Sequence, residues 1–269
     1  MATKVLYVTQ EIFPYLPTSE IAALSRELPQ AIQEQGKEIR TFMPRYGCIN
    51  ERRNQLHEVI RLSGMNLIID DTDHQLIIKV ASIQAARMQV YFIDNEEYFR
   101  RKAVVTDENG VEFADNADRA VFFARGVLET VKKLRWTPDI IHCHGWMAAA
   151  LPVLVKKAYR EDPFFANSKI VYSLYDNAFQ EPLSDRIVNK IKMDGISDDD
   201  LSMVATSGSF ENLSKLAVQY SDALIQGSPQ VLESVVEYAK KSQKLFLPYQ
   251  DPQNYVTSYN QFYDQLLGE

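Results

Sequence analysis

Four adjacent residues, Pro17-Thr18-Ser19-Glu20, occupy the place where this chain would have to hold a phosphate. They follow the apolar run Lys4-Val5-Leu6-Tyr7-Val8 and precede the helical spacing Ile21, Leu24, Leu28, Ile32. Strand, loop and helix in that order form the arrangement by which α/β domains seat a pyrophosphate on a helix N-terminus. Such a loop needs glycine, since a Cβ blocks the approach of backbone to phosphate and disfavours positive φ. The first glycine after this strand is Gly36, beyond the helix. Ser19 reads instead as an N-cap and Glu20 as a first-turn acid. That acid would repel a diphosphate. The frame of a nucleotide site is present without its phosphate chemistry.

Other residues of this chain are of types that could do chemistry. His142 and His144, two apart on a predicted strand, share a face and could hold a metal. No third ligand has suitable spacing, so packing or a cleft-lining role is preferred, and the residues imply no cofactor. His144 and Trp146 fall at the carboxyl end of a strand, where α/β ligands bind, and a tryptophan face with polar neighbours suits a sugar. Asp198-Asp199-Asp200 reads as a solvated loop or short helix, because three adjacent carboxylates cannot all face one ion. Ser173, Ser207 and Ser209 lack a motif that would place an activating base beside them. No spacing singles out two carboxylates for glycoside hydrolysis. Tyr98, Phe99 and Arg100 read equally well as scaffold, and Asn116 with Arg119 as the cap and anchor of a long helix.

The elements that must position these residues alternate along the chain. Strands apolar on both faces are predicted at Val5–Val8, Ile39–Met43, Asp139–His142, Ile170–Leu174 and Ala223–Gln226, separated by helical patterns. That rhythm predicts an α/β fold with a Rossmann-like, doubly wound and mainly parallel sheet. Helices are predicted at Ala117–Leu134, at Met147–Tyr159, and at Pro229–Tyr238 with Ser228 as N-cap and Pro229 in the first helical position. Between Leu56 and Asp94 the pattern switches to alternation, which predicts a β excursion at the sheet edge. The last helix carries Tyr255, Tyr259, Phe262, Tyr263, Leu266 and Leu267 on one face. So aromatic a helix must dock on something, and its own domain is preferred over a partner surface.

Composition bounds the rest. With 269 residues, 46% apolar and 24% charged, the chain can bury a continuous core. A net charge of −7 argues against sequence-independent nucleic-acid binding. Cys48 and Cys143 are read as reduced, buried thiols. The start of the chain has no basic segment before an apolar one, and the apolar stretch Met147–Val155 is too short to span a bilayer. The expectation is a cytoplasmic protein with no membrane contact.

Several segments, taken together, resemble the N-terminal half of bacterial glycogen synthases and plant starch synthases, glycosyltransferase family five. They are Glu11-Ile12-Phe13-Pro14 for the family's "(S)E-x-F-P", Met43-Pro44-Arg45-Tyr46 for "(M/L)PRY", and Tyr98-Phe99 with Asp115-Asn116 and Arg119. The stretch Trp136-Thr137-Pro138-Asp139-Ile140-Ile141-His142-Cys143-His144-Gly145-Trp146 resembles "W-x-PDVVH-x-HDW", and Ser228-Pro229 resembles "(V)SP". The set keeps family order up to about Tyr238. The resemblance implies half of a two-domain GT-B transferase that moves glucose from ADP-glucose to an α-1,4-glucan. The family's "K-T-G-G-L-x-D" falls on Pro17, Thr18, Ser19, Glu20, Ile21, Ala22 and Ala23. Its "HDW" aspartate falls on Gly145, and the histidine of "T-I-H-N" on Tyr175. These are the degenerate donor-site positions, and no catalytic residue is assigned. A candidate sugar-binding cleft is left to Glu11, His144, Trp146, Asn177 and Gln180.

The expected organisation is a synthase-like domain over residues 1–244 and a tail over 245–269, whose helix docks back on the domain. The family's second GT-B half has no counterpart here. The expected function is that of a glycogen/starch synthase-related protein, inactive alone; the alternative is a non-catalytic glucan-binding or regulatory module. Candidate partners are an α-glucan or sugar nucleotide and a protein supplying the second domain, with no nucleic acid.

Overall fold

Strands buried on both faces need helices above and below, and the chain supplies them in alternation. The computed structural model describes residues 2–268. Its strands are β1 (Lys4–Thr9), β2 (Glu38–Pro44), β3 (His57–Glu58), β4 (Met65–Ile69), β5 (Thr72–Ile83), β6 (Met88–Asp94), β7 (Ile140–His144), β8 (Lys169–Leu174), β9 (Ala223–Gln226) and β10 (Leu245–Leu247). They order as β10-β9-β8-β7-β1-β2-β6-β5-β3, with β4 paired to β5. From β10 to β6 every pairing is parallel. The pairings of β3, β4 and β6 with β5 are antiparallel, which is the edge excursion.

Chain order reverses between β1 and β7. The chain leaves β1 toward β2 on one side and leaves β7 toward β8 on the other, so their carboxyl ends open the crevice at which doubly wound folds bind ligands. Register sets Tyr7 beside His142 and Thr9 beside His144. Alternation then sorts the side chains. Val5, Tyr7, Ile140, Val171 and Ile225 pack with Leu28 and Ile32 of the first helix (Glu20–Glu34) and with Tyr259, Phe262 and Tyr263 of the terminal helix (Tyr255–Leu267). Leu6, Val8, Ile141, Cys143 and Leu224 belong to the larger core, with the long helix Asn116–Lys133.

The terminal helix lies against the first helix and the sheet. Lys37 Nζ donates to Asn260 Oδ1 at 2.9 Å and to Asp264 Oδ1 at 2.6 Å. Within the interface His142 Nδ1 meets the Tyr263 hydroxyl at 2.6 Å, and Tyr263 meets Tyr7 at 3.3 Å. These hydroxyls satisfy polar groups that no water reaches.

Local outcomes differ from the sequence reading at several points. Ser228 does not cap a helix. It is buried, accepts from the Asp176 amide at 3.2 Å and donates to Glu20 Oε2, so the helix starts only at Glu233. The segment predicted as one helix from Met147 to Tyr159 breaks into a 3₁₀ turn (Trp146–Ala148), a short helix (Leu151–Val153) and a π-helical turn (Leu154–Ala158). Pro152 restarts the helix at its first positions, where its missing N–H is tolerated. Cys48 is exposed, whereas Cys143 is buried. Asp115, not Asn116, stands at the N-cap position of the long helix. Asn116 instead accepts from Arg119 Nη1 at 2.7 Å, and Arg119 Nε donates to the Tyr98 carbonyl at 2.9 Å. Strand β10 had no pattern of its own. Lys244 supports it by donating to the carbonyls of Val218, Gln219 and Ser221. Among the described residues no helix is long and apolar enough to cross a membrane.

The Tyr263 hydroxyl leads to one expected outcome. Tyr263→Phe removes the partner of a buried imidazole nitrogen, and stability falls by about 1–3 kcal/mol. Urea unfolding measures it as a lower midpoint at constant slope; an unchanged midpoint contradicts the packing described.

Candidate functional site

The loop between β1 and the first helix is closed by its own side chains. Ser19 caps the helix, its Oγ accepting from the Ala22 amide at 3.0 Å, and its hydroxyl donates to Glu11 Oε2 at 2.5 Å. Gln10 Nε2 donates to the other Glu11 oxygen at 3.3 Å. Glu20, in the first turn, accepts the Ser228 hydroxyl. Among the described residues no lysine or arginine pairs with either carboxylate, so the positive end of the helix faces fixed negative charge. Pro17, Thr18, Ser19 and Glu20 are all exposed at this edge. Glu20 and Ala23 border a cavity of about 160 Å³ that opens toward the terminal helix.

Gly145 and Gln10 fit each other. Gly145 has φ of +84°, and a Cβ there would lie 2.8 Å from Gln10 Oε1 and 2.9 Å from Gln10 Cβ. Gln10 is buried; its Oε1 accepts from the Met147 amide at 3.3 Å and from Asn177 Nδ2 at 3.4 Å. The side chain of residue 10 thus fills the space over residue 145. Tyr175 and Gly227 are matched in the same way. Its ring is buried, and a Cβ on Gly227 would come within 2.6 Å of it. The Tyr175 hydroxyl meets His144 Nδ1 at 2.7 Å.

The two histidines form the floor beneath these loops. Their ring centroids are 3.9 Å apart and neither side chain is exposed. His142 is held on both nitrogens, by Tyr263 at Nδ1 and by Ser173 Oγ at 2.7 Å from Nε2. A proton on His142 Nδ1 lets Ser173 donate to Nε2, His142 donate to Tyr263, and Tyr263 donate to Tyr7. Among the described residues His144 Nε2 has no partner. Burial holds both imidazoles neutral: it depresses His142 well below the usual histidine range, with His144 beside it adding to the effect, and His144 to about 3. Burial drives the Tyr175 phenol upward, so it stays protonated. Among the described residues no three His, Cys, Asp or Glu side chains converge on a metal position.

The candidate cleft residues separate into two groups. Glu11 and Asn177 are partly exposed and Gln180 is exposed; all three lie on loops at the carboxyl edge. His144 and Trp146 lie below the surface. Trp146 is 2% exposed and packs edge-on to Phe179 with centroids 5.0 Å apart, so neither of its faces is open to a sugar in solvent. This corrects the expectation drawn from its place at a strand end: the residue after Gly145 turns inward. Sequence reasoning did not single out Gln10 or Gly227, and it placed Ser228 as an N-cap and not as the partner of Glu20. Only Gln10 left a signal, as the departure from serine before Glu11.

The fold and this crevice define a class: a doubly wound α/β domain of the kind that forms one half of a GT-B glycosyltransferase. A family model described as the starch synthase catalytic domain matches residues 4–246, and the chain belongs to that family. It is similar to the glycogen synthase of Chlorobium limicola, 36% identical over 234 residues that cover 87% of this chain and 47% of that protein. The glycogen synthase of Pelodictyon phaeoclathratiforme is 37% identical over the same shares. The chain therefore spans about half the length of these relatives. Among solved structures, the catalytic domain of starch synthase IV from Arabidopsis thaliana, bound to ADP and acarbose, superposes with a TM-score of 0.73 at 18% identity, covering 93% of this chain and 52% of that one.

Two expected outcomes follow from the geometry. A histidine whose folded pKa lies below its unfolded value stabilises the fold above pH 6.5, and that contribution is lost as pH falls toward the folded value. Between pH 7 and 5 the unfolding free energy should fall by about 2 kcal/mol for His144. His144→Gln should remove that part of the slope in urea titrations; an identical slope in the variant contradicts it. Second, Gly145→Asp should destabilise by about 3 kcal/mol, combining a left-handed backbone with a clash. Gln10→Ser in the same chain relieves the clash, recovering about 1–2 kcal/mol in a double-mutant cycle. Strict additivity would show that the two positions do not compete for space.

Proposed function

We propose that this chain is a glycogen/starch synthase relative whose loop between β1 and the first helix no longer accepts the diphosphate of a sugar nucleotide. Residues 1–269 alone then transfer no glucose and act as a pseudoenzyme domain. The observation that carries this reading is the first-turn carboxylate of Glu20, bound to Ser228 at the helix N-terminus. Retaining transfer needs positive or dipolar groups aimed at the departing diphosphate. Here Pro17 stands in the family's lysine position, Ser19 and Glu20 in its glycine positions, and Ala23 in its aspartate position. Gln10 fills the volume above Gly145, and Tyr175 directs its hydroxyl to His144 rather than to solvent. Replacement at so many polar positions supports loss of the reaction more than a change of donor.

Binding of an α-glucan at the carboxyl edge is the role we assign in its place. The Arabidopsis relative was solved with acarbose. Here Glu11, Asn177 and Gln180 present carboxylate and amide groups at the surface, the types of polar group that fix a ligand's orientation. We place the synthase-like domain at residues 1–244 and the tail at 245–269, in a cytoplasmic setting, with a partner protein as the source of any second domain.

Calorimetric titration with ADP, ADP-glucose and maltoheptaose tests this, alongside an assay of glucose incorporation into glycogen. The expected result is binding of the oligosaccharide, with no nucleotide binding and no incorporation. Micromolar affinity for ADP, about −8 kcal/mol, or incorporation by the purified chain would overturn it.

A further inference from the structure

The cavity beside Glu20 has a lining that calls for positive charge. Its walls include Glu20 and Glu27 of the first helix and Tyr249, Tyr255 and Tyr259 of the tail. Among the described residues that line it there is no lysine or arginine. Glu20 and Glu27 are seven residues apart, two turns along one helix face, so their backbones are separated by roughly 10 Å. Each carboxylate has one oxygen engaged, Glu20 Oε2 by Ser228 and Glu27 Oε2 by the Tyr255 hydroxyl at 3.2 Å. Among the described residues no protein donor is bonded to Oε1 of either. Tyr255 and Tyr259 line the same cavity and meet edge to face with centroids 5.9 Å apart. Carboxylates beside apolar ring surface favour a cation with an apolar middle.

We infer that this cavity binds a short linear alkylamine carrying an ammonium group at each end. A single metal ion does not suit it, because among the described residues no three His, Cys, Asp or Glu side chains converge on a metal position. An anion is repelled. A neutral sugar would leave the charge of both carboxylates uncompensated, and Gln250 in the lining already donates to the Pro248 carbonyl at 2.8 Å. A four-carbon diamine separates its nitrogens by roughly 6 Å on ordinary bond lengths. Hydrogen bonds of about 2.8 Å at each end carry it from one carboxylate to the other. The cavity volume of about 160 Å³ admits such a chain with the methylenes against the tyrosines. The protein's net charge of −7 steers the same class of ligand toward it. Glu20 thus stands at a helix N-terminus where the family pattern has glycine, and reverses the sign of charge favoured there. The inference rests on the cavity alone and is independent of whether the chain binds glucan or nucleotide.

Calorimetry on the full chain tests it, with putrescine, n-butylamine, Nα-acetyl-lysine amide and maltose as separate titrants. Putrescine should bind at least about tenfold tighter than either monoamine, and its affinity should weaken with salt. Glu20→Gln and Glu27→Gln should each weaken it by about tenfold, with urea midpoints confirming that both variants fold. Tyr255→Leu should weaken it while leaving both charges in place. No heat from putrescine at about 10 mM, equal affinity for monoamine and diamine, or unaltered binding in both glutamine variants would overturn the assignment. Displacement of putrescine by maltose would overturn it as well.

Discussion

Two carboxylates at the carboxyl end of the central strand govern this molecule. Glu11 takes the Ser19 hydroxyl and Glu20 takes the Ser228 hydroxyl, and between them they close the loop that opens the first helix. A helix N-terminus carries unsatisfied N–H groups and partial positive charge, which is why α/β folds place anions there. In this chain the capping hydroxyl and the first-turn acid already answer that charge from within. The neighbouring side chains are consistent with it. Gln10 lies over Gly145, and Tyr175 lies over Gly227, so space at the crevice is filled by side chains bonded to one another.

Beneath the loops the same principle operates in the dry interior. The row from Ser173 through His142 and Tyr263 to Tyr7 matches donors to acceptors in a place without solvent, and the aromatic bodies of the two tyrosines supply apolar area at the same time. It links three parallel strands to the terminal helix. His144 is the less satisfied member: Tyr175 engages one nitrogen, and the other has no partner among the described residues. Burial keeps both rings uncharged, so the floor of the crevice adds no positive charge to help an anion.

The parts of the surface that remain polar and accessible lie to either side. On one side are Glu11, Asn177 and Gln180, on loops after β1 and β8. On the other is the tyrosine-walled cavity between the first helix and the tail. The proposed roles of these two regions are chemically separate, one neutral and hydroxyl-rich, the other cationic.

The sequence by itself determined the parallel core of the sheet, because apolar runs such as Val5–Val8 and Ile170–Leu174 carry their own periodicity. It also determined the cap at Ser19 and the absence of glycine before Gly36, which are local facts of residue type. Strand β7 extended past the predicted His142 to His144, since polar histidines look like an end until Tyr263, Ser173 and Tyr175 are seen to satisfy them. Only the tertiary structure decided that Trp146 turns inward, that Ser228 bonds to Glu20 across 208 residues instead of capping a helix, and that Gln10 occupies the space a Cβ at residue 145 would need. Contacts between residues far apart in the chain leave no periodic trace, and whether an aromatic or a hydroxyl faces solvent is settled by what packs against it.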